Sequence, residues 1–321
     1  MTFLRDQAGF SEKDLKKLDE GEAITRIVKT DDNREVTVMG AVRVDAPADY
    51  IVDRFTQIAT LLRGSESTRS VGQFGATPAV AEMAAMELPN DDVSDLKKCK
   101  PEHCDVKLPA NAIDVLHERV DWESADHTGQ VNEFFGEAIV RYLTSYQANG
   151  NAALATYDDK KEPLSVAQGF ELLLSDMPVL HSLEPRLLSH VSEYPAGSSD
   201  EIEDVFYWTV ADFGLKPVLS LRHLAIQRDT ESPLTDAMVV IKEIYSSHYF
   251  QAVVEVLAFT EVTGSEGAVS TIVTYMGRSR FDGKVGGLKR HMLNDKVKDA
   301  ERDELAAGKA RVEQEYGAAG S

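Results

Sequence analysis

The chain has 321 residues, of which 43% are hydrophobic and 27% charged, a balance that allows one large domain or two modest ones with a sizeable buried core. Its 54 acidic residues outnumber 34 basic ones, leaving a formal charge of −20 that repels phosphate backbones and anionic lipid surfaces, so nucleic acid is not an expected partner. No run of about 18 apolar residues occurs, so no membrane span is expected.

In chain order, Ser11-Glu12-Lys13-Asp14 has the spacing of a capping box, and Leu15 and Leu18 follow as a short apolar stripe, which predicts a small helix within an N-terminal segment 1–22. Two β-rich stretches come next, Ala23 to Lys29 and Arg34 to Val44. Asp31-Asp32-Asn33 supplies the turn that makes them an antiparallel hairpin. Asp45-Ala46-Pro47 then starts a helix on which Ile51, Phe55, Ile58 and Leu62 recur at helical spacing, ending at Gly64.

Residues 23–78 thus read as the first part of a sheet domain, and residues 79–214 as a mainly helical insertion. Within the insertion, Cys99-Lys100-Pro101-Glu102-His103-Cys104 allows a small disulfide-closed loop, two free thiols or a two-thiol metal site. Zinc normally takes four ligands, and only His103 is at hand to join the pair. The clearest helix is expected from about Ser124 to Ala148, with Val131, Phe134, Phe135, Ala138, Tyr142 and Leu143 on a face that packs in the core.

From Leu215 the pattern changes to β-branched stretches: Val218 to Ile226, Met238 to Tyr245, Ala252 to Thr260 and Ser270 to Arg280. Turn signals Glu231-Ser232-Pro233 and Thr263-Gly264-Ser265 separate them and predict a four-strand meander. Strand alternation puts Val239 and Ile241 on one face with Glu243, and Val253 with Glu255, so this side of the sheet carries acids among its apolar residues. The same alternation sends Arg222 and His223 to opposite faces and places Arg278 and Arg280 together. Gly283, Gly286 and Gly287 lead into a final helix from about Leu288 to Tyr316, completing the sheet domain over 215–321.

Several chemistries leave recognisable motifs, and none of these is present: no G-x-G-x-x-G opening a helix, no phosphate-binding G-x-x-x-x-G-K-[ST], no G-x-S-x-G elbow, no H-E-x-x-H and no calcium loop. No cofactor or metal is expected from the sequence. Among polar clusters, Tyr245, His248 and Tyr249 bring an imidazole beside two phenols, suited to lining a pocket or to acid–base work near neutral pH. Arg222, Arg278 and Arg280 offer guanidinium forks for a ligand carboxylate or head group.

The strand leading through Ala46-Pro47-Ala48 into a helix, the late meander and the long terminal helix together resemble the START-like (SRPBCC, helix-grip) superfamily over about residues 34–75 and 215–316. That resemblance implies a curved antiparallel sheet wrapped on the terminal helix, enclosing an apolar cavity. Ile244-Tyr245-Ser246-Ser247-His248-Tyr249-Phe250, Ser279-Arg280 and Gly286-Gly287-Leu288-Lys289-Arg290 are similar to a set of exported bacterial proteins with no assigned activity. The likeness implies a location outside the cytoplasm and accommodates a Cys99–Cys104 disulfide. Met1 to Leu18 lack the features of a secretory leader, so the chain as written reads as cytoplasmic, and as periplasmic or exported if a leader has been removed.

The expectation is therefore an α+β fold that binds or carries a hydrophobic or amphipathic small molecule, a lipid included. Val239, Ile241, Val254 and Ile272 would line the cavity, and Arg278, His248 or Tyr249 would orient a polar end. Two other readings stand beside it: an enzyme using His248 with Tyr245 or Tyr249 as acid and base, and an acidic protein-docking module.

Overall fold

The computed structural model describes residues 4–5, 9–175, 177–212, 214–228, 230, 232, 234–264 and 267–319. Helix α1 (Glu12–Asp19) begins with the expected capping box: the Asp14 N–H donates to Ser11 Oγ at 3.2 Å, and the Ser11 N–H donates to Asp14 Oδ2 at 3.0 Å. Strands β1 (Ile24–Val28) and β2 (Glu35–Val44) form the hairpin. The single helix expected after Pro47 is two, α2 (Ala48–Phe55) and α3 (Ile58–Leu62), broken at Thr56-Gln57; Ile51, Phe55 and Ile58 nonetheless share one core.

Strand β3 (Thr68–Phe74) was not expected from the sequence, because Arg69, Ser70, Gly72 and Gln73 carry little strand propensity. It is an edge strand, where a polar sequence is tolerated. The segment that follows is helical: α4 (Asn90–Leu96), α5 (Ala110–Arg119), α6 (His127–Asn149), α7 (Val166–Ser175), α8 (Pro178–Leu183) and α9 (Pro185–Glu193), with a two-residue ladder of β4 (Thr156–Tyr157) and β5 (Leu164–Ser165). The insertion ends earlier than expected. Residues Ile202–Ala211 form β6, a strand of the main sheet, whose apolar run from Val205 lacks the alternation that separates strand from helix.

The meander is present as β7 (Val218–Arg228), β8 (Ala237–Ser246), β9 (Phe250–Thr263) and β10 (Val269–Phe281), followed by α10 (Gly287–Ala319). Glu231, Pro233 and Ser265 of the expected turns lie outside the described residues. Eight strands make one antiparallel sheet in the order β1-β2-β10-β9-β8-β7-β6-β3. The fold is thus α+β, with an antiparallel sheet, a long C-terminal helix and a large helical insertion.

Both faces of the sheet are covered. One face packs against the insertion in a core that includes Phe134, Phe135, Leu143, Tyr146 and Phe170 from helices and Trp208, Leu221, Val240 and Val254 from strands. At the β1–β2 end of that face, α1 adds Leu15 and Leu18 against Met39 and Ile272. The opposite face meets α2, α3 and α10 through Val42, Phe55, Tyr207, Leu224, Ile241, Phe259 and Val312.

Helix α10 has no continuous apolar stripe, and it reaches the sheet at a few points. Gly40 on β2 is one of them: a Cβ there would lie 2.6 Å from Leu305 Cδ1 and 3.1 Å from Thr25 Cγ2. Gly40→Val should therefore force α10 outward and lower stability by about 1–3 kcal/mol, measured by denaturant unfolding.

Candidate functional site

Between the sheet and α10 lies a cavity of about 280 Å³. Val44, Ile51, Phe55, Phe259 and Val312 make its apolar end, and Ile241, Leu257 and Val273 continue the wall. The other end is polar because of strand register. Tyr207 on β6 and Arg222 on β7 line it, and Glu243 on β8, off the cavity wall, stands beside them, since Tyr207 pairs with Arg222 and Arg222 with Glu243. Glu255 on β9 lies diagonal to them, opposite Gly277 on β10. The missing side chain of Gly277 leaves room for the Tyr275 ring, whose hydroxyl a Cβ at 277 would approach to 2.4 Å. Glu301 on α10 closes this end from the helix side.

Arg222 Nη2 donates to Glu243 Oε2 at 2.8 Å, and Nη1 to Glu255 Oε1 at 3.3 Å. Burial opposes the guanidinium's charge, but Glu255, Tyr207 and Glu243 outweigh it and keep the group firmly protonated. Glu255 sits where burial pushes its carboxyl up, with Arg222 pulling the other way. Burial and the neighbouring Glu255 charge raise Glu301 to about 8, so this carboxyl is largely neutral at pH 7. Rim cations are engaged elsewhere: Arg54 faces Glu315 at 3.8 Å, Lys309 faces Glu313 at 2.7 Å, and Arg311 donates to the Leu61 carbonyl.

Of the residues singled out from sequence, Arg222, Ile241 and the Glu243/Glu255 acids meet on the cavity side, with Val239 in the same core. Val254 packs in the core under the insertion and Ile272 in the core under α1, because they alternate with Glu255 and Val273 onto the opposite face. Tyr245 also faces the insertion. Alternation from Glu243 would have kept it on the cavity side, but a bulge skips Ile244 between the pairs Leu221–Tyr245 and Arg222–Glu243, turning both residues to the same side. Its hydroxyl donates to the Lys107 carbonyl at 3.2 Å.

His248 is buried and its Nε2 bonds Asp92 Oδ2 at 2.9 Å, while Tyr249, at φ 59°, accepts the Lys216 N–H on its hydroxyl at 2.9 Å. Arg278 and Arg280 do share a face, but it is the insertion side: Arg278 donates to Glu35 Oε2 at 2.7 Å and to the Leu173 carbonyl at 3.0 Å, and Arg280 to Glu35 Oε1 at 2.6 Å and Asp32 Oδ2 at 2.8 Å. The acid–base trio and this arginine pair therefore lie away from the cavity. Residues missed in the sequence were Tyr207, Tyr275 and Glu301. The first two were masked by runs of aromatic and β-branched residues, and Glu301 by the many acids along α10.

Cys99 and Cys104 are joined as a disulfide, with Cα atoms 4.5 Å apart, in the loop after α4. Both cysteines are buried. A second polar cluster lies under the insertion. His190 on α9 and His223 on β7 each place Nε2 2.7 Å from Asp204 Oδ1. Two imidazoles and a carboxylate could ligate a metal, but the remaining contacts say otherwise. The Ser199 N–H donates to His190 Nδ1 at 3.3 Å, so His190 carries its proton on Nε2 and donates to Asp204. Tyr146 offers its hydroxyl to His223 Nδ1 at 2.9 Å, which sets the same tautomer there. Burial would raise Asp204, yet the two imidazole donors hold it at about 2. This is a satisfied hydrogen-bond network joining insertion to sheet.

Lys242, fully buried beside it, donates to Tyr146 Oη at 3.2 Å, Asn151 Oδ1 at 2.8 Å and the Val191 carbonyl at 2.8 Å. Burial pushes its ammonium down to about 7. Between pH 7 and its ordinary 10.5 the unfolded chain holds this proton while the folded chain releases it, so stability from this group rises with pH in that window, by at most about 1.4 kcal/mol per unit. Lys242→Met should remove that slope, measured as denaturant unfolding free energy at pH 7 and pH 9.

Comparison with protein families finds no family model that matches the chain, and comparison with curated proteins finds no match. No helix among the described residues is long and apolar enough to cross a membrane.

Proposed function

We propose that this protein binds a small amphipathic molecule in the cavity between its sheet and C-terminal helix, as a carrier. The supporting observation is the cavity's composition: apolar walls from Val44, Phe55, Leu257, Phe259 and Val312, interrupted by polar groups that include Tyr207, Arg222, Glu255, Tyr275 and Glu301. Burial of a ligand's apolar part against those walls supplies the affinity, at about 25 cal/mol per Å² removed from water, and the polar end selects the orientation. The START-like likeness supports the same reading, since that architecture implies a cavity in this place. His248 is 4% exposed and tied to Asp92 away from the cavity, which makes acid–base catalysis on the same ligand by this imidazole a poor fit. The Cys99–Cys104 disulfide fits an oxidising compartment and the likeness to exported proteins.

Leu257→Trp places an indole in the cavity from its sheet wall. Native mass spectrometry of the protein from its source should show a stoichiometric small amphipathic compound on the wild type and none on Leu257→Trp. Unliganded masses for both, with the fold intact by circular dichroism, would count against the carrier reading.

A further inference from the structure

Glu255, Glu301 and Glu304 line the cavity beside Arg222. Arg222 gives its two Nη groups to Glu243 and Glu255, and its buried Nε has no partner among the described residues. Glu301, facing the same end from α10, has no cation among the groups that act on it: these are Glu255 from β9, Tyr275 from β10 and Glu304 from its own helix. Tyr207 from β6 and Arg222 from β7 line the same cavity, and its other cations are engaged elsewhere: Arg54 of α2 faces Glu315, Lys309 of α10 faces Glu313, and Arg311 of α10 donates to the Leu61 carbonyl. Glu243, bonded to Arg222 and not itself on the cavity wall, is 3% exposed and has no donor for its Oε1 among the described residues, while Glu301 on the wall pairs with the Tyr275 hydroxyl.

An anionic head group would add a charge beside three carboxyl groups, and an alcohol would supply one donor. An alkylammonium brings a positive charge and three N–H donors, which is what Glu301 lacks. Size narrows the class further, because 280 Å³ at the ~30 Å³ that a water-sized unit occupies in a liquid holds about nine non-hydrogen atoms.

Resting on the carrier reading, we propose that the ligand is a cationic amphiphile, a short alkyl chain ending in a protonated amine, with Glu301 as its counter-ion on the C-terminal helix. Glu301 is largely neutral at pH 7 in the free protein, so docking of the ammonium drives its O–H proton into solvent and leaves a carboxylate–ammonium pair. The amine stays protonated throughout, since aliphatic amines titrate near 10.4.

Isothermal titration of the full chain with octylamine, octanol and octanoate tests this, each run in two buffers of different ionisation heat. Octylamine should bind most tightly and octanoate most weakly. Octylamine binding should release up to one proton at pH 7, octanol binding none, and octylamine affinity should rise about tenfold from pH 7 to pH 9 as Glu301 becomes ionised beforehand. Glu301→Gln should reduce octylamine affinity to that of octanol while octanol affinity holds. Octanol or octanoate binding as tightly as octylamine, or octylamine binding without proton release, would overturn this assignment and leave the carrier reading standing. Binding of none of the three would overturn both.

Discussion

A strand presents alternate residues to opposite faces, and in this protein both faces of the sheet are buried, so every central strand has to satisfy two environments at once. Strand β8 shows the consequence most directly. Val239, Ile241 and Glu243 serve the cavity side, while Met238, Val240 and Lys242 serve the insertion, and both sets carry an ionisable group out of bulk water. Each charge is tolerated because a neighbouring strand or helix meets it: Glu243 meets Arg222 across the β7–β8 pair, and Lys242 meets three acceptors from α6, the turn after it and α9. Register is therefore held by polar matching as well as by apolar burial. A one-residue slip would send Lys242 into the Arg222 site and Glu243 among aromatic rings.

The two faces differ in how completely they are filled. The insertion side is packed by six of the described helices around Trp208, Tyr146 and Phe170, and its polar residues are tied into networks such as Tyr146–His223–Asp204–His190. The opposite side is covered by two short helices and by α10, which touches the sheet closely at Gly40 through Leu305 and again near Val312. Between those contacts the helix stands off, and a cavity remains. Closer packing there is opposed by the chain itself, because Glu301 and Glu304 occupy positions where a filled core would need apolar side chains.

Keeping acids on that wall has an energetic cost, visible in the upward shifts of Glu255 and Glu301. Buried ionisable groups with too few partners are unfavourable for stability alone, and they concentrate where a molecule is bound. Glu301 also lies on the element that closes the cavity, the same helix that meets the sheet through Leu305 and Val312.

Several features were legible from the sequence because they depend on local patterns. The capping box at Ser11, the hairpin around Asp31-Asp32-Asn33, the helix over Phe134 and Phe135, the four-strand meander and the terminal helix all follow from spacing within a few residues. Alternation also separated Arg222 from His223 and grouped Glu243 with Ile241. Tertiary structure decided the rest. Strand β6 is a buried apolar run with no period, β3 is a polar edge that becomes a strand only by pairing with β6, and the bulge at Ile244 moved Tyr245 to the other face. The disulfide was one of three open states for Cys99 and Cys104 until the loop brought them together. Glu301 is one acid among many on α10, and its significance comes from Glu255 and Tyr275, residues 46 and 26 positions away that the sheet carries to its side. Local periodicity records which face a residue takes; it holds no information about which distant face lies opposite, and that pairing is what makes the cavity and its charge.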